Sequence, residues 1–183
     1  AVADVVRHEY GHGVNDFVYA VHGAPSGGMI NGALHEGMAD TYAGLLADDP
    51  VIGEGFLGPG SIIRDIQNTK RWPADHSGEV HNDGLIIAGA FWDLRQAVGL
   101  AVAEHLSQYA KHGIPDDLSD GVAYSEFFFE TLVADDDDAN LANGTPHGNA
   151  IIAAFNLHGI GTNSYLSVAS TPVADQSAGG AQP

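Results

Sequence analysis

Two histidines and a glutamate near the start of the chain have the spacing of a metal site. His8, Glu9 and His12 form the pattern His-Glu-x-x-His, and the apolar spacing around them predicts a helix. Residues four apart lie on one face of a helix, so both imidazoles can reach one ion. Glu9 lies beside the first histidine and can act as a general base towards a water on that ion. Because only three positions of the pattern are fixed, two surface histidines near a solvated glutamate are the alternative interpretation.

A second predicted helix offers the third ligand. A catalytic zinc site commonly has three protein ligands and one open position. Glu36 can complete a set of two histidines and one glutamate. Asp40, four residues later on the same helical face, can accept the free N–H of a ligand histidine. His35 competes as a ligand, but it points about 100° away from Glu36. An ordinary acidic helix face is the alternative, which the apolar neighbours of Glu36 and Asp40 make less favourable.

The segments H-E-Y-G-H and E-G-M-A-D together resemble the thermolysin-type zinc peptidases, the gluzincins. The variant H-E-Y-x-H is also similar to the fungalysins. The resemblance implies that His8, His12 and Glu36 bind Zn²⁺, that Glu9 is the general base and that Asp40 supports a ligand histidine. It further implies a zinc-dependent endopeptidase, a hydrolase that acts on protein or peptide substrates.

A later stretch extends the resemblance. Arg64 lies at the position of the family's arginine, which holds a substrate carbonyl. His81, in G-E-V-H-N-D-G, lies at the position of the histidine that stabilises the tetrahedral intermediate. A cation or N–H donor beside the metal would lower the barrier to forming an oxyanion. The alternatives are a polar loop residue for His81 and a helix-surface ion pair for Arg64.

The chain also departs from the family pattern. The family's tyrosine beside the oxyanion has no clear equivalent, although Tyr19 and His22 lie nearby in the sequence. His76 stands where the family has the acid that orients its histidine, and we expect Asp75 or Glu79 to substitute. The β-rich lobe that precedes the first zinc helix in the family is not within the chain. The resemblance therefore implies a lobe that needs, or once had, such a partner.

The composition limits the classes of function. The chain has 24 Asp and Glu residues against 6 Lys and Arg, a formal net charge of -18, which repels phosphate backbones and argues against nucleic-acid binding. Because there is no cysteine, a zinc ion must bind His and carboxylate ligands. No stretch is apolar enough to predict a membrane span. The many glycines and few lysines favour a secreted, extracellular protein.

An acidic run near the end of the chain offers oxygen ligands for a second cation. Asp136, Asp138 and Asn140 alternate as oxygen donors, as at the start of a calcium loop. Calcium also commonly accompanies thermolysin-like peptidases. The spacing is not that of an EF-hand, and a disordered acidic loop without Ca²⁺ is the equal alternative.

The pattern of apolar residues predicts a mainly α fold, the zinc-bearing helical lobe of a zincin-like α+β metallopeptidase. We expect residues 1–160 to form the catalytic domain and residues 161–183 to be a flexible tail or linker. Thr145 and Pro146 are the expected N-cap and first position of the last helix. The predicted helices are residues 1–20, 33–47, 61–71, 84–98, 101–112, 121–133 and 149–158.

Two other functions remain open from the sequence. A zinc aminopeptidase would use the same metal ligands, but it needs an anchor for a free substrate amine. An incomplete or inactive secreted metal-binding fragment would keep the site without the cleft. The intact general base Glu9 favours an enzyme over such a fragment.

Overall fold

The structure is a computed structural model that describes residues 3–161, and over this range it is mainly helical, as the apolar pattern predicts. Two single turns of 3-10 helix cover Ala110–Gly113 and Leu141–Asn143. Two-residue strands, β1 (Val51–Ile52) and β2 (Arg64–Asp65), pair antiparallel. The α-helices are α1 (Ala3–Val21), α2 (Gly32–Ala47), α3 (Val80–Val98), α4 (Leu100–Tyr109), α5 (Asp120–Asp135) and α6 (Gly148–Leu157).

Helix α3 lies at the centre of the core, in contact with α2, α4 and α6. It is apolar on most of its circumference, and Ile86, Ile87, Phe91 and Leu94 are fully buried. The Phe91 ring lies edge-on to Phe127 of α5 and Phe155 of α6, with ring centroids 5.6 and 5.3 Å apart. Burial of each such side chain stabilises the fold by about 1.5–3 kcal/mol, so α3 provides a rigid base for whatever its first turn carries.

Helices α1 and α2 cross at very short range, and this crossing positions the predicted metal ligands. A Cβ atom on Gly11 of α1 would lie only 3.1 Å from the Ala39 Cα of α2. The same crossing brings the face of α1 with His8 and His12 against the face of α2 with Glu36. The glycine inside the H-E-Y-G-H segment therefore allows the two ligand-bearing helices to approach.

The predicted helix over residues 61–71 is wrong, because this stretch is extended or irregular and includes β2. Side chains compete with the helical backbone here: Asp65 Oδ1 accepts a hydrogen bond from the Gln67 amide, and Asn68 Oδ1 accepts one from Lys70. The Ile66 amide donates to the Pro50 carbonyl, which ties the segment to the preceding loop.

Two helix starts also differ from the prediction. Helix α3 begins at Val80 rather than residue 84, because Glu79 caps it by accepting hydrogen bonds from the amides of His81 and Asn82. The last helix begins at Gly148, so Thr145 is not its N-cap. The Thr145 hydroxyl instead donates to Asp135 Oδ2, at the end of α5.

The predicted tail lies outside the described residues except for residue 161. None of the helices within residues 3–161 combines the length and apolar character that crossing a bilayer would require.

Candidate metal centre

The three predicted zinc ligands come together at the crossing of α1 and α2. His8 Nε2 lies 3.1 Å from His12 Nε2 and 3.3 Å from Glu36 Oε2, and His12 Nε2 lies 3.5 Å from Glu36 Oε1. Ligand atoms around a tetrahedral zinc, each about 2.0–2.1 Å from the metal, stand about 3.3–3.4 Å apart. The two distances to Glu36 go to its two different oxygens, and one potential ligand atom from each side chain lies within 4.8 Å of the others, so the three side chains are close enough to share one ion.

The donor atoms of this cluster also have the chemistry that a cation needs. His8 Nδ1 lies 2.7 Å from Asp40 Oδ1, and an N–H at Nδ1 leaves the Nε2 lone pair of a neutral ring facing His12. Glu36 Oε2 is buried and has no hydrogen-bond partner. A buried polar atom without a partner costs about 1–3 kcal/mol. A metal ion among the three residues would supply that partner, so the side chains fit the predicted zinc.

The ionisable groups of the cluster shift one another's pKa values. Burial lowers the pKa of His8, but the adjacent carboxylates of Asp40 and Glu36 outweigh it and raise the pKa to about 9. Burial raises the pKa of Glu36, whereas the neighbouring rings of His8, His12 and His81 lower it below its usual value. Burial and the neighbouring charges of His35 and His8 lower the pKa of His12. Protons and a metal ion would compete for the same position.

Asp40 contacts His8, and its role as the partner of a ligand histidine stays a prediction. It is almost completely buried, and Arg64 donates to it twice, from Nε at 2.6 Å and from Nη2 at 2.9 Å. The interpretation of Arg64 as a helix-surface ion pair is wrong in its location, because Arg64 lies on β2 and its side chain is mostly buried. Its role towards a substrate carbonyl stays a prediction.

His81 lies on the first turn of α3 and points its Nε2 towards the metal cluster, 3.4 Å from Glu36 Oε1. Its Nδ1 lies 2.6 Å from Glu79 Oε1. The hydrogen bond from His81, followed by those from the backbone amides of Asn82 and His81, lowers the pKa of Glu79 to about 2. Asp75, the other candidate, instead accepts from the Arg71 amide. Of the two acids proposed to orient His81, Glu79 is the one in contact with it.

Glu9 lies on the exposed side of α1, next to the ligand histidines in the chain. Its charge acts on His12, which tends to raise the pKa of that ring. An exposed carboxylate beside the ligand cluster is open to a substrate and to a water, as a general base must be.

Other residues that the sequence singled out are engaged elsewhere. Tyr19 is buried, and its hydroxyl donates to the Pro115 carbonyl at 2.6 Å. His22 stacks on His112 with ring centroids 4.1 Å apart. The His35 ring packs edge-on against His12, and its Nε2 lies 3.3 Å from the His12 carbonyl oxygen. The metal-binding cluster does not include His35.

The acidic run forms a hydrogen-bonded loop. Asp136 Oδ1 accepts from the Asp138 amide, and Asp138 Oδ1 accepts from the Asn140 amide. The carboxylates of Asp136, Asp137 and Asp138 come close enough to share an ion, and Asp137 is an addition to the predicted set. Calcium binding by Asp136, Asp138 and Asn140 stays a prediction.

A third group that could bind a metal was missed by sequence reasoning. His76 lies beside the carboxylates of Asp83 and Asp120, which come from the starts of α3 and α5. No local pattern predicts the group, because Asp120 is distant in the chain and its proximity depends on how α5 packs.

Comparison with protein-family models, with curated proteins and with solved structures finds no match for this chain.

Proposed function

We propose that the chain is the zinc-bearing helical lobe of a zincin-like metallopeptidase and that it hydrolyses internal peptide bonds. The observation that carries this proposal is the convergence of His8, His12 and Glu36 to within the distance that one ion could bridge, with a buried Glu36 oxygen that has no hydrogen-bond partner. The neighbouring general-base candidate, Glu9, favours hydrolysis over simple metal storage.

Zinc bound to these ligands would polarise the scissile carbonyl and lower the pKa of a water to about 7. Glu9 would then take the proton of the attacking water and pass it to the leaving amine. Asp40 holds His8 in the tautomer that presents Nε2, and the paired Arg64 holds Asp40 in position.

His81 would stabilise the negative charge that develops on the carbonyl oxygen. Because its Nδ1–H is directed to Glu79, Nε2 donates a hydrogen bond only when the ring carries both protons. In that form the ring would place a donor N–H on the Glu36 side of the cluster.

The exposed face of α1 is suited to form one wall of a substrate cleft. Val6, Tyr10 and Phe17 lie on the same side as Glu9, and each is more than half exposed. Within the proposal, a β-rich lobe like that of the resembled family covers this face and completes the substrate cleft. The acidic composition agrees with an extracellular site of action, which stays part of the proposal.

The test is casein hydrolysis by the zinc-loaded chain, beside Glu9→Gln and the exposed control Glu54→Gln. We expect Glu9→Gln to lower kcat/KM about a hundred- to ten-thousand-fold and to retain the zinc that His12→Gln loses. Glu54→Gln should behave as the parent. An N-terminally blocked peptide should also be cleaved, which an aminopeptidase could not do.

Casein cleavage by Glu9→Gln at the parent's rate would contradict the assignment of the base. If neither protein cleaves although both hold zinc, the helical lobe binds metal but depends on further sequence for its cleft.

A further inference from the structure

A second group of metal-binding side chains lies outside the centre described above. It joins His76, in the loop before α3, to Asp83 on the first turn of α3 and Asp120 at the first residue of α5. His76 Nε2 lies 3.2 Å from Asp120 Oδ2 and 3.5 Å from Asp83 Oδ2. The three potential ligand atoms all lie within 4.8 Å of one another.

The two distances from His76 resemble those of the first centre. In the first centre, the ligand atoms are 3.1 to 3.5 Å apart. Atoms bound to one tetrahedral zinc stand about 3.3–3.4 Å apart, with a water able to complete the four positions. One imidazole and two carboxylates are a donor set that suits zinc and similar transition metals.

The carboxylates are held in place by neighbours that leave one oxygen of each near His76. Asp83 is fully buried and accepts hydrogen bonds from the Ser77 amide and hydroxyl on Oδ1 and from the Gly78 amide on Oδ2. Burial raises the pKa of Asp83, but these hydrogen bonds outweigh it and keep the pKa below its ordinary value. Asp120 accepts from the Asn31 amide group on Oδ1, which leaves Oδ2 facing His76.

Within residues 3–161, neither carboxylate pairs with a lysine or an arginine, and His76 is the basic group beside both. Two carboxylates this close repel each other unless a positive charge lies between them. A metal ion at this position would supply that charge. The chain's large negative charge favours cation binding in general.

We propose that His76, Asp83 and Asp120 bind a second divalent transition-metal ion of the zinc class. The ion joins the loop before α3 to the starts of α3 and α5. It lies close in the chain to Glu79 and His81, so its role is to hold the first turn of α3 against α5. This site does not depend on the peptidase proposal, because it shares no ligand with the first centre.

A neighbouring tryptophan allows the site to be observed directly. The Trp72 ring lies edge-on to His76 with ring centroids 4.9 Å apart. Co²⁺ bound to His76 would therefore quench Trp72 fluorescence. Trp92, the other tryptophan, lies in a separate part of the core. Trp72→Phe identifies the part of the signal that belongs to Trp72.

The experiment titrates Co²⁺ into the metal-free full chain and counts zinc per chain after dialysis. We expect His12→Gln, which lacks the first centre, to keep the Trp72 quenching. His76→Gln and Asp120→Asn should lose it and should hold one zinc fewer than the parent. His105→Gln removes an exposed histidine elsewhere and should match the parent. Circular dichroism checks that each variant is folded.

An unchanged zinc count and unchanged quenching in both His76→Gln and Asp120→Asn would overturn the proposal. Asp120→Asn keeps the shape of the side chain, so the test stands even if His76→Gln does not fold. If His12→Gln no longer cleaves casein but keeps the Trp72 quenching, the first centre is lost while the second still binds metal. The two proposals can therefore fail independently.

Discussion

At the scale of single residues, the candidate metal centre depends on a buried carboxylate that serves two partners. Asp40 accepts from Arg64 at both oxygens and faces His8 Nδ1 at one of them. A carboxylate at this position can orient the ligand ring, and the two hydrogen bonds from Arg64 hold the carboxylate in place. Metal affinity and local stability should therefore change together when Asp40 is altered.

Asp40→Asn tests this coupling. We expect zinc affinity to fall about 10- to 100-fold. We also expect the free energy of unfolding to fall by about 3–5 kcal/mol, because Arg64 loses its paired charge while mostly buried. Competition with a chelator measures the first effect, and urea unfolding measures the second. Glu54→Gln, an exposed control, should change neither, and parent-like zinc affinity in Asp40→Asn would refute the supporting role.

Lys111 is a buried charge that no catalytic proposal uses. It is fully buried, its Nζ donates to the neutral Gln108 Oε1 at 3.1 Å, and burial lowers its pKa from 10.5 to about 7. The unfolded chain therefore binds more protons than the folded chain between about pH 7 and pH 10.5. The free energy of unfolding therefore rises with pH across this window, and the destabilisation by Lys111 is greatest below about pH 7.

Lys111→Met should stabilise the protein at pH 7, by about 2–4 kcal/mol. The gain should shrink as the pH rises from 7 towards 10.5, because the cost of neutralising Lys111 on folding falls across this window and disappears once lysine is neutral in both states. Urea unfolding of both proteins at pH 7 and pH 9.5 measures the difference. A variant less stable than the parent at pH 7 would mean that Lys111 is charged and has a partner in the folded state.

At the scale of elements, the decisive feature is the close crossing of α1 and α2. A Cβ on Gly11 would lie 3.1 Å from Ala39 Cα and 3.3 Å from the Ala39 carbonyl oxygen, whereas a Cβ on Gly13 would meet no atom within 4 Å. Both glycines lie in α1, so their substitution by alanine changes helix propensity equally. The difference between them isolates the cost of separating the helices.

Gly11→Ala should weaken zinc binding and destabilise the fold by about 1–3 kcal/mol, since the helices must move apart and with them His8, His12 and Glu36. Gly13→Ala should leave zinc binding unchanged and stabilise α1 by up to about 1 kcal/mol. Zinc affinity and thermal unfolding measure both outcomes. If the two variants behave alike, the crossing tolerates a methyl group and does not set the ligand spacing.

The sequence was sufficient to predict most helices and the three side chains, His8, His12 and Glu36, that come together at the candidate metal centre. The positions of His8, His12, Glu36 and Asp40 follow from helical periodicity, which is a local property. The stretch around Arg64 and Asp65 was mispredicted as a helix, because its conformation depends on side-chain hydrogen bonds and on pairing with β1. Helical periodicity cannot predict either of these.

The second cluster could not be predicted for a different reason. His76 and Asp83 are close in the chain, but Asp120 reaches them only because α5 packs beside the start of α3. Tyr124 of α5 donates to the Asp83 carbonyl at 2.9 Å and helps to fix this arrangement. Contacts between distant segments depend on tertiary packing, which a single sequence does not reveal.

At the scale of the whole molecule, bound cations should contribute strongly to stability. The formal net charge is -18, and like charges on a compact chain repel one another. The first centre joins α1 to α2, so a cation there stabilises the folded state and not the unfolded one. A ligand at 100 times its Kd stabilises a protein by about 2.7 kcal/mol.

Removal of metal by EDTA should therefore lower the melting temperature by about 5–10 °C relative to the zinc-loaded chain. Added Zn²⁺ should restore it, whereas Mg²⁺ at the same concentration should not, since magnesium prefers oxygen ligands and retains its water. Calorimetry measures the shift. Equal melting temperatures with and without zinc would contradict a preformed metal centre.

The double role of Glu79 has a consequence for motion. The same carboxylate that accepts from the amides of His81 and Asn82 also contacts the His81 ring. The first turn of α3 and the orientation of the imidazole therefore depend on the same residue. Fraying of this single turn would release the ring and the cap at the same moment. The catalytic competence that we propose would then fluctuate with the opening of one helical turn, on the timescale of local unfolding, while the rest of α3 stays folded.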